Sequence, residues 1–467
     1  MPKLPSLLPR ALSLLLSCAA FCLPATAQTP LPEPVRAALD RAQLPEDSLY
    51  AWVAPVEGGP PWLAHQPSAL AHPASVMKLV TSMAALDRLG PLFQWHTPVY
   101  TDGHHLYVQG RGDPRLVNER LWLLLRQVMA VHGPVVAGDI VLDRSAYAIP
   151  AVDPAAFDGE PLKPYNVRPD ALMVNQKSVL LNFRPDAARG VARVSPDTAL
   201  AGVQWPATVP LGAGACGDWR SGLQLDATDP ARPRFGGRLP ASCGEKGWPL
   251  ASSDPASFNA RAIEAQWRAL GGRLRGQVRE GRTPTGATLV AEALSPALPE
   301  VLRDMNKHSN NVIAQQLMLA LSPGQPDTPA TWEGARAEVQ ALVQSQGCRD
   351  DELVIDNGSG LSREERISAR CLGRLLQWAW GRPWMPELLG SLPVAGIETT
   401  ARRVTSAAGQ AHLKTGSLNN VAALAGVVHG PDGHRHVVVV MVNHPLAASA
   451  EARAVLDAVV GWSLAPR

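Results

Sequence analysis

The chain has 467 residues, 46% of them hydrophobic and 18% charged, and its 43 basic side chains against 41 acidic ones leave a formal net charge of +2. That length holds roughly two to four domains whose cores need neither a metal nor disulfides to be stable. Nothing in this near balance of charge points to a nucleic-acid partner, which usually requires a basic surface, and prolines and glycines dispersed along the sequence mark an ordered, loop-rich globular protein.

The N-terminus reads as an export signal. Lys3 and Arg10 are the only charges before an almost wholly apolar run from Ala11 to Leu23, and Ala25-Thr26-Ala27 offers small residues where a signal peptidase cuts, placing cleavage before Gln28. The run is too short for an ordinary membrane-spanning helix, and no later apolar stretch reaches that length, so no transmembrane domain is expected after cleavage. The mature chain, with 41 basic and 41 acidic residues, then belongs in the periplasm or outside the cell. Its four cysteines, Cys216, Cys243, Cys348 and Cys371, allow three disulfide pairings; proximity favours Cys216 with Cys243 and Cys348 with Cys371, with buried free thiols as the alternative. Neither pair has the histidines and short spacing of a metal site.

The first domain part, 28–90, opens with a strand over 49–56, a Gly58-Gly59-Pro60-Pro61 turn and a return strand from Trp62. Residues 75–89 are apolar around most of a helix, and a helix apolar on nearly every side is buried. From 91 to 285 short alternating runs (105–108, 135–142, 178–183) predict one or two inserted, largely sheet-containing domains, with a helix over 258–270. The last part, 286–467, carries helices over 311–321 and 332–346 and a short strand over 353–355. Ser362 and Glu365 form a capping box for a following helix. Three strands (410–417, 421–428, 436–442) and a terminal helix over 451–462 complete it. Sequential hairpins under helices imply an α+β fold with an antiparallel sheet.

Within this frame Ser75 and Lys78 lie three residues apart at the start of a buried helix, on one side of its first turn. A serine hydroxyl needs a nearby base to become a nucleophile, and a lysine amine held in an apolar site sheds part of its hydration and favours the neutral, basic form. The plain alternative is an N-cap serine and a solvated lysine, since a Ser-x-x-Lys match arises about once by chance in a chain this long. Two further segments add polar groups of the right kind. Ser309 and Asn311, in Lys307-His308-Ser309-Asn310-Asn311, present a hydroxyl and an amide from one connection. Lys414-Thr415-Gly416-Ser417 sits in a strand, where a cation and hydroxyls suit a carboxylate and the glycine admits a close backbone.

Ser75-Val76-Met77-Lys78, Ser309-Asn310-Asn311 and Lys414-Thr415-Gly416, in that order on a helix, a loop and a strand, resemble the signature of the penicillin-binding protein and serine β-lactamase superfamily. Ser75 and Ser309 stand 234 residues apart, and that insertion narrows the match. With Gly110–Pro114, Tyr165–Ala171, Asp356–Ser362 and Leu392–Gly396, the chain resembles the PBP4-type D-alanyl-D-alanine carboxypeptidase/endopeptidase family, peptidase family S13. The resemblance implies a transpeptidase-like domain split by nested domains after the nucleophile helix. It also implies roles: Ser75 as nucleophile and Lys78 as base. Ser309 relays a proton to the leaving amine, Asn311 binds the substrate amide or orients Lys78, and Lys414, Thr415, Gly416 and Ser417 hold the terminal carboxylate and backbone. The backbone N–H groups of Ser75 and Ser417 form the oxyanion hole. The implied substrates are D-Ala-D-Ala termini and D-alanyl-meso-diaminopimelate cross-links of peptidoglycan stem peptides, with β-lactams as covalent inhibitors and no cofactor. Two runs depart from the family pattern, Ile397-Glu398-Thr399-Thr400 and Asn419-Asn420. A β-lactamase or esterase on the same fold, and a non-catalytic wall-binding or penicillin-sensing protein, are the competing readings.

Overall fold

The computed structural model describes residues 29–465; the export signal and its cleavage point lie outside them. The site is built on a five-stranded antiparallel sheet whose order joins the two ends of the chain. Leu63–His65 pairs with Leu49–Pro55, which pairs with Arg435–Asn443, followed by Val421–His429 and, at the edge, Ala411–Leu418. The register sets Leu49 opposite Val442 and Trp52 opposite Val439. The valine run of Arg435–Asn443 is buried on both faces for a simple reason. Val437, Val439 and Met441 face a layer of helices that includes Lys78–Arg88, while Val438, Val440 and Val442 face the terminal helices Glu33–Ala42 and Ala450–Ser463. Each fully buried valine contributes roughly 1.5 kcal/mol or more, so this strand anchors both layers.

Residues 96–294 leave the helical layer and return beside their point of departure. Thr288–Leu294 pairs with His96–Thr101, setting Leu294 opposite His96, so the sheet of this segment extends past residue 285, where the sequence reading ended it. That sheet is mixed, because Leu106–Gln109, Ile140–Asp143 and Val278–Glu280 run parallel to one another. The predicted strand over 135–142 is interrupted: Val135–Val136 and Ile140–Asp143 belong to different sheets. A second sheet contains Ser178–Asp186, Val191–Pro196, Thr208–Gly212 and Lys246–Ala251. The segment also holds a helix, Asn118–His132, which turns Leu121, Leu124, Leu125 and Val128 into the core. Disulfides join Cys216 to Cys243 and Cys348 to Cys371.

Two local expectations are corrected. Residues 75–89 are not one continuous helix: Ala74–Met77 is a 3-10 turn that feeds an α-helix over Lys78–Arg88. Ser362 and Glu365 cap no helix. The next helix begins at Ala369 with Ser368 as its cap, its hydroxyl accepting from the N–H of Cys371, and Glu365 is fully buried in a loop. Among the described residues no helix is long and apolar enough to cross a membrane, and no group of three or more His, Cys, Asp or Glu side chains could hold a metal.

Candidate active site

The chain reaches Ser75 through a constrained elbow. His72 Nδ1 accepts from the Ala74 N–H at 2.9 Å, which fixes the other ring nitrogen as the donor to the Ser362 carbonyl at 2.8 Å. Burial pushes the His72 pKa down, against the pull of that carbonyl, so one neutral tautomer is held in place. Asn443 clamps the His72 backbone on both sides, accepting from its N–H at 2.7 Å and donating to its carbonyl at 3.1 Å. Ala74 is then forced to φ 45°, a left-handed conformation costly to a residue with a Cβ. The elbow leaves Ser75 half-exposed while its neighbours from Ala71 to Val80 are buried.

Behind Ser75 lies Lys78, fully buried in a helix whose residues from Lys78 to Leu86 are all buried. Its Nζ is 3.0 Å from Ser75 Oγ and 2.7 Å from Asn311 Oδ1, and it also contacts the carbonyl oxygen of Ser359. Among the described residues no carboxylate touches it. Burial drives its pKa well below the ordinary lysine value and the nearby charge of Lys414 pushes the same way, with Glu365 opposing.

The Ser359 carbonyl is delivered by a loop wound around Glu365. One carboxylate oxygen accepts from the N–H groups of Asp356, Asn357 and Gly358 at 3.2, 3.0 and 2.6 Å, and the other from Gly360 at 2.7 Å. Burial lifts the Glu365 pKa while these N–H donors work against the lift. Gly360, at φ 81°, has to be glycine twice over, because a Cβ there would lie 1.9 Å from the Ala74 carbonyl oxygen.

The helix Leu298–His308 ends with Ser309 at φ 56°, a left-handed cap that turns its hydroxyl toward the cleft before the helix Asn311–Ala320 begins. Asn306 fixes this end, its amide donating to Ser82 Oγ at 3.0 Å and Ser391 Oγ at 2.9 Å. Asn311 is buried, and its amide nitrogen donates to the Tyr165 carbonyl at 3.2 Å while its oxygen faces Lys78.

On the other wall the edge strand Ala411–Leu418 carries Lys414, also fully buried, with its Nζ 3.0 Å from Ser309 Oγ and 2.6 Å from the Thr415 carbonyl. Burial brings its pKa down to about 7. Gly416 lets this strand pack on the elbow, since a Cβ there would lie 2.5 Å from the Pro73 carbonyl oxygen and 3.0 Å from Ser75 N. Thr415 is half-exposed and Ser417 exposed, and both line a cleft of about 590 Å³ shared with Ser75 and Ser309.

The eight site residues singled out from the sequence thus come together, with Ser75, Ser309, Thr415, Gly416 and Ser417 lining the cleft and Lys78, Asn311 and Lys414 buried behind it, as two linked chains: Ser75–Lys78–Asn311 and Ser309–Lys414–Thr415. The sequence gives no site role to His72 or to the carbonyls of Ser359 and Tyr165, and it places Glu365 in a capping box instead of at the site. Only the runs Asp356–Ser362 and Tyr165–Ala171, quoted for their resemblance, pointed near two of them. At position 398, where the family pattern is broken, Glu398 forms an ion pair with Lys307, two residues before Ser309, and accepts from the Val394 N–H at 2.9 Å.

The chain is 32% identical over 407 residues to a D-alanyl-D-alanine carboxypeptidase of Actinomadura sp. strain R39, covering 80% of this chain and 73% of that one. It is 26% identical to a D-alanyl-D-alanine carboxypeptidase of Haemophilus influenzae, covering 79% of this chain and 80% of that one. The solved structure of penicillin-binding protein 4 from H. influenzae has the same fold, with a TM-score of 0.74 at 23% identity over 91% of this chain and 97% of that chain. With the profile of the D-Ala-D-Ala carboxypeptidase 3 (S13) family matching residues 33–465, the chain belongs to that family.

Proposed function

We propose that the protein is a periplasmic serine DD-peptidase that hydrolyses D-alanyl peptide bonds of peptidoglycan through an acyl-enzyme on Ser75 and is acylated there by β-lactams. The observation that carries this reading is the set of partners of Lys78. A neutral amine has two N–H bonds and one lone pair. Asn311 Oδ1 and the Ser359 carbonyl take the two N–H bonds, which leaves the lone pair facing the Ser75 hydroxyl at 3.0 Å. In that state the hydroxyl donates to the amine, as general-base activation needs.

The steps follow from the same contacts. Lys78 takes the Ser75 proton as Oγ bonds to the D-alanyl carbonyl carbon, and the oxyanion forms against the N–H groups of Ser75 and Ser417. The C–N bond then breaks, with the amine receiving a proton through Ser309, whose Oγ is 3.0 Å from Lys414 Nζ. Lys414, Thr415 and Ser417 supply a cation and hydroxyls for the terminal carboxylate, and the edge strand can bind an extended peptide as an added strand. Water finally cleaves the ester.

The test compares wild type with Ser75→Ala and Lys78→Ala on pentapeptides and cross-linked muropeptides, with products identified by mass spectrometry. Both variants are expected to lose hydrolysis while remaining folded. Unchanged hydrolysis by Ser75→Ala would sink the mechanism, and rapid turnover of penicillin in place of a long-lived acyl-enzyme would move the protein to the β-lactamase reading.

A further inference from the structure

The cleft at Ser75 is extended to one side only. Beyond Ser75, Ser309, Thr415 and Ser417 its wall includes Arg402, Arg403 and Arg453, while the buried side chains of Lys78, Asn311 and Lys414 do not line it. The basic mouth is thus continuous with Ser309 and with Thr415, Gly416 and Ser417 of the edge strand, the groups that meet the leaving amine and its carboxylate in the mechanism above.

The charge of this mouth is not balanced from within. Asp457 is the single acidic side chain in the wall. Its oxygens are taken by the Ser406 N–H at 3.1 Å, the Ser406 hydroxyl at 2.7 Å and the Thr405 hydroxyl at 3.3 Å. Among the described residues Arg402 Nε makes one long contact, with the Ile397 carbonyl at 3.4 Å. Among the described residues Arg403 and Arg453 have no carboxylate partner. A departing D-alanine brings a single carboxylate, and Lys414, Thr415 and Ser417 already provide for it. Three further guanidinium groups, each able to grip a carboxylate with two parallel N–H bonds, exceed what that leaving group can use.

We propose that Arg402, Arg403 and Arg453 form a subsite for a large, polyanionic leaving group: an acidic peptide whose amine carries the D-alanyl residue, as in a cross-link between two stem peptides. The assignment rests on the DD-peptidase reading and gives it a preferred bond. In the acylation step the Ser75 Oγ–carbon bond forms, the amide C–N bond breaks, and the nitrogen leaves as the protonated amine of the acidic peptide. The arginines hold that peptide's free carboxylates while the proton is delivered from the Ser309 side.

The test measures kcat/KM for cleavage of a cross-linked muropeptide dimer and for D-alanine release from a pentapeptide, in wild type, in Arg403→Glu/Arg453→Glu and in Arg403→Lys/Arg453→Lys. The two side chains sit at the rim of the cleft, and the rate of acylation by penicillin reports that the Ser75 site is intact in each variant. The glutamate variant is expected to lower the ratio of dimer cleavage to D-alanine release by about tenfold or more, chiefly through KM, because attraction between exposed charges is replaced by repulsion. The lysine variant is expected to restore most of that ratio, and added salt to lower it in wild type. A ratio within about twofold of wild type in the glutamate variant overturns the subsite while leaving the peptidase reading in place. Absence of both activities and of acylation in wild type overturns the peptidase reading, and the subsite with it.

Discussion

Glu365→Gln tests how the base is held. The carboxylate is fully buried and both its oxygens accept from backbone N–H groups, three on one and one on the other. Glutamine can keep its oxygen toward Asp356, Asn357 and Gly358, but its NH2 then meets the N–H of Gly360, donor against donor. One buried N–H left unsatisfied costs about 1 to 3 kcal/mol, and three charge-assisted bonds become ordinary ones, so a loss of roughly 2 to 4 kcal/mol is expected. The same change acts on Lys78. Glu365 is the charge that opposes the depression of the Lys78 pKa, so removing it lowers that pKa further, and the amine is neutral down to a lower pH. The acid limb of the acylation rate should therefore move to lower pH, while the maximum falls because the Ser359 carbonyl is less well placed. Thermal unfolding together with the rate of acylation by penicillin across pH measures both effects. A lowered melting temperature with an acid limb that stays in place or moves upward would refute the electrostatic part of the reasoning.

Further outcomes follow from single contacts. Gly360→Ala puts a Cβ 1.9 Å from the Ala74 carbonyl oxygen in a backbone already at φ 81°, so acylation should fall by at least about a hundredfold, well beyond what a solvent-exposed alanine costs; a rate near wild type would contradict the described elbow. Lys414→Met should abolish D-alanine release yet stabilise the fold at neutral pH by on the order of 1 to 3 kcal/mol, because a buried amine is replaced by an apolar side chain of similar length. The sign with pH is definite. With a folded pKa of about 7 against 10.5 unfolded, wild type carries the full cost below pH 7 and recovers it as pH rises toward 10.5, so the advantage of the methionine variant should shrink over that interval in denaturant titrations. Cys348→Ala/Cys371→Ala opens a disulfide closing a separation of 23 residues and should cost about 3 kcal/mol of stability, read as a lower melting temperature with the acylation rate at room temperature largely kept.

The parts of the fold that were legible in the sequence are those where one pattern dominates. The valine run near the C-terminus and the turns on either side of Val421–His429 mark three strands within a residue or two of their observed ends. Helix Asn118–His132 is absent from the sequence reading although Leu121, Leu124, Leu125 and Val128 have helical spacing, because the short alternating runs on either side of it dominate that part of the block. Glu365 was misplaced for a deeper reason. Three residues after a serine it matches a capping box, and only the folded loop shows that its partners are four backbone N–H groups upstream. The candidate site side chains are legible because the chemistry proposed for them is written in residue type and order. The Ser359 and Tyr165 carbonyls that complete the Lys78–Asn311 network have no side-chain signature, so only the geometry identifies them. The arginines at the mouth of the cleft likewise became visible as a group once Arg453, from the terminal helix, was seen beside Arg402 and Arg403.

Removal of the Ser75 proton by a neutral Lys78 is the step on which the proposed activity depends. Its most direct test is the rate and site of acylation by penicillin in wild type and Lys78→Ala, followed by intact-protein mass and peptide mapping. Wild type is predicted to gain one acyl group on the peptide carrying Ser75, with a rate that rises with pH as Lys78 loses its proton, and Lys78→Ala to acylate at least about a thousandfold more slowly. An acyl group on another residue, or a Lys78→Ala rate equal to that of wild type, would contradict the claim.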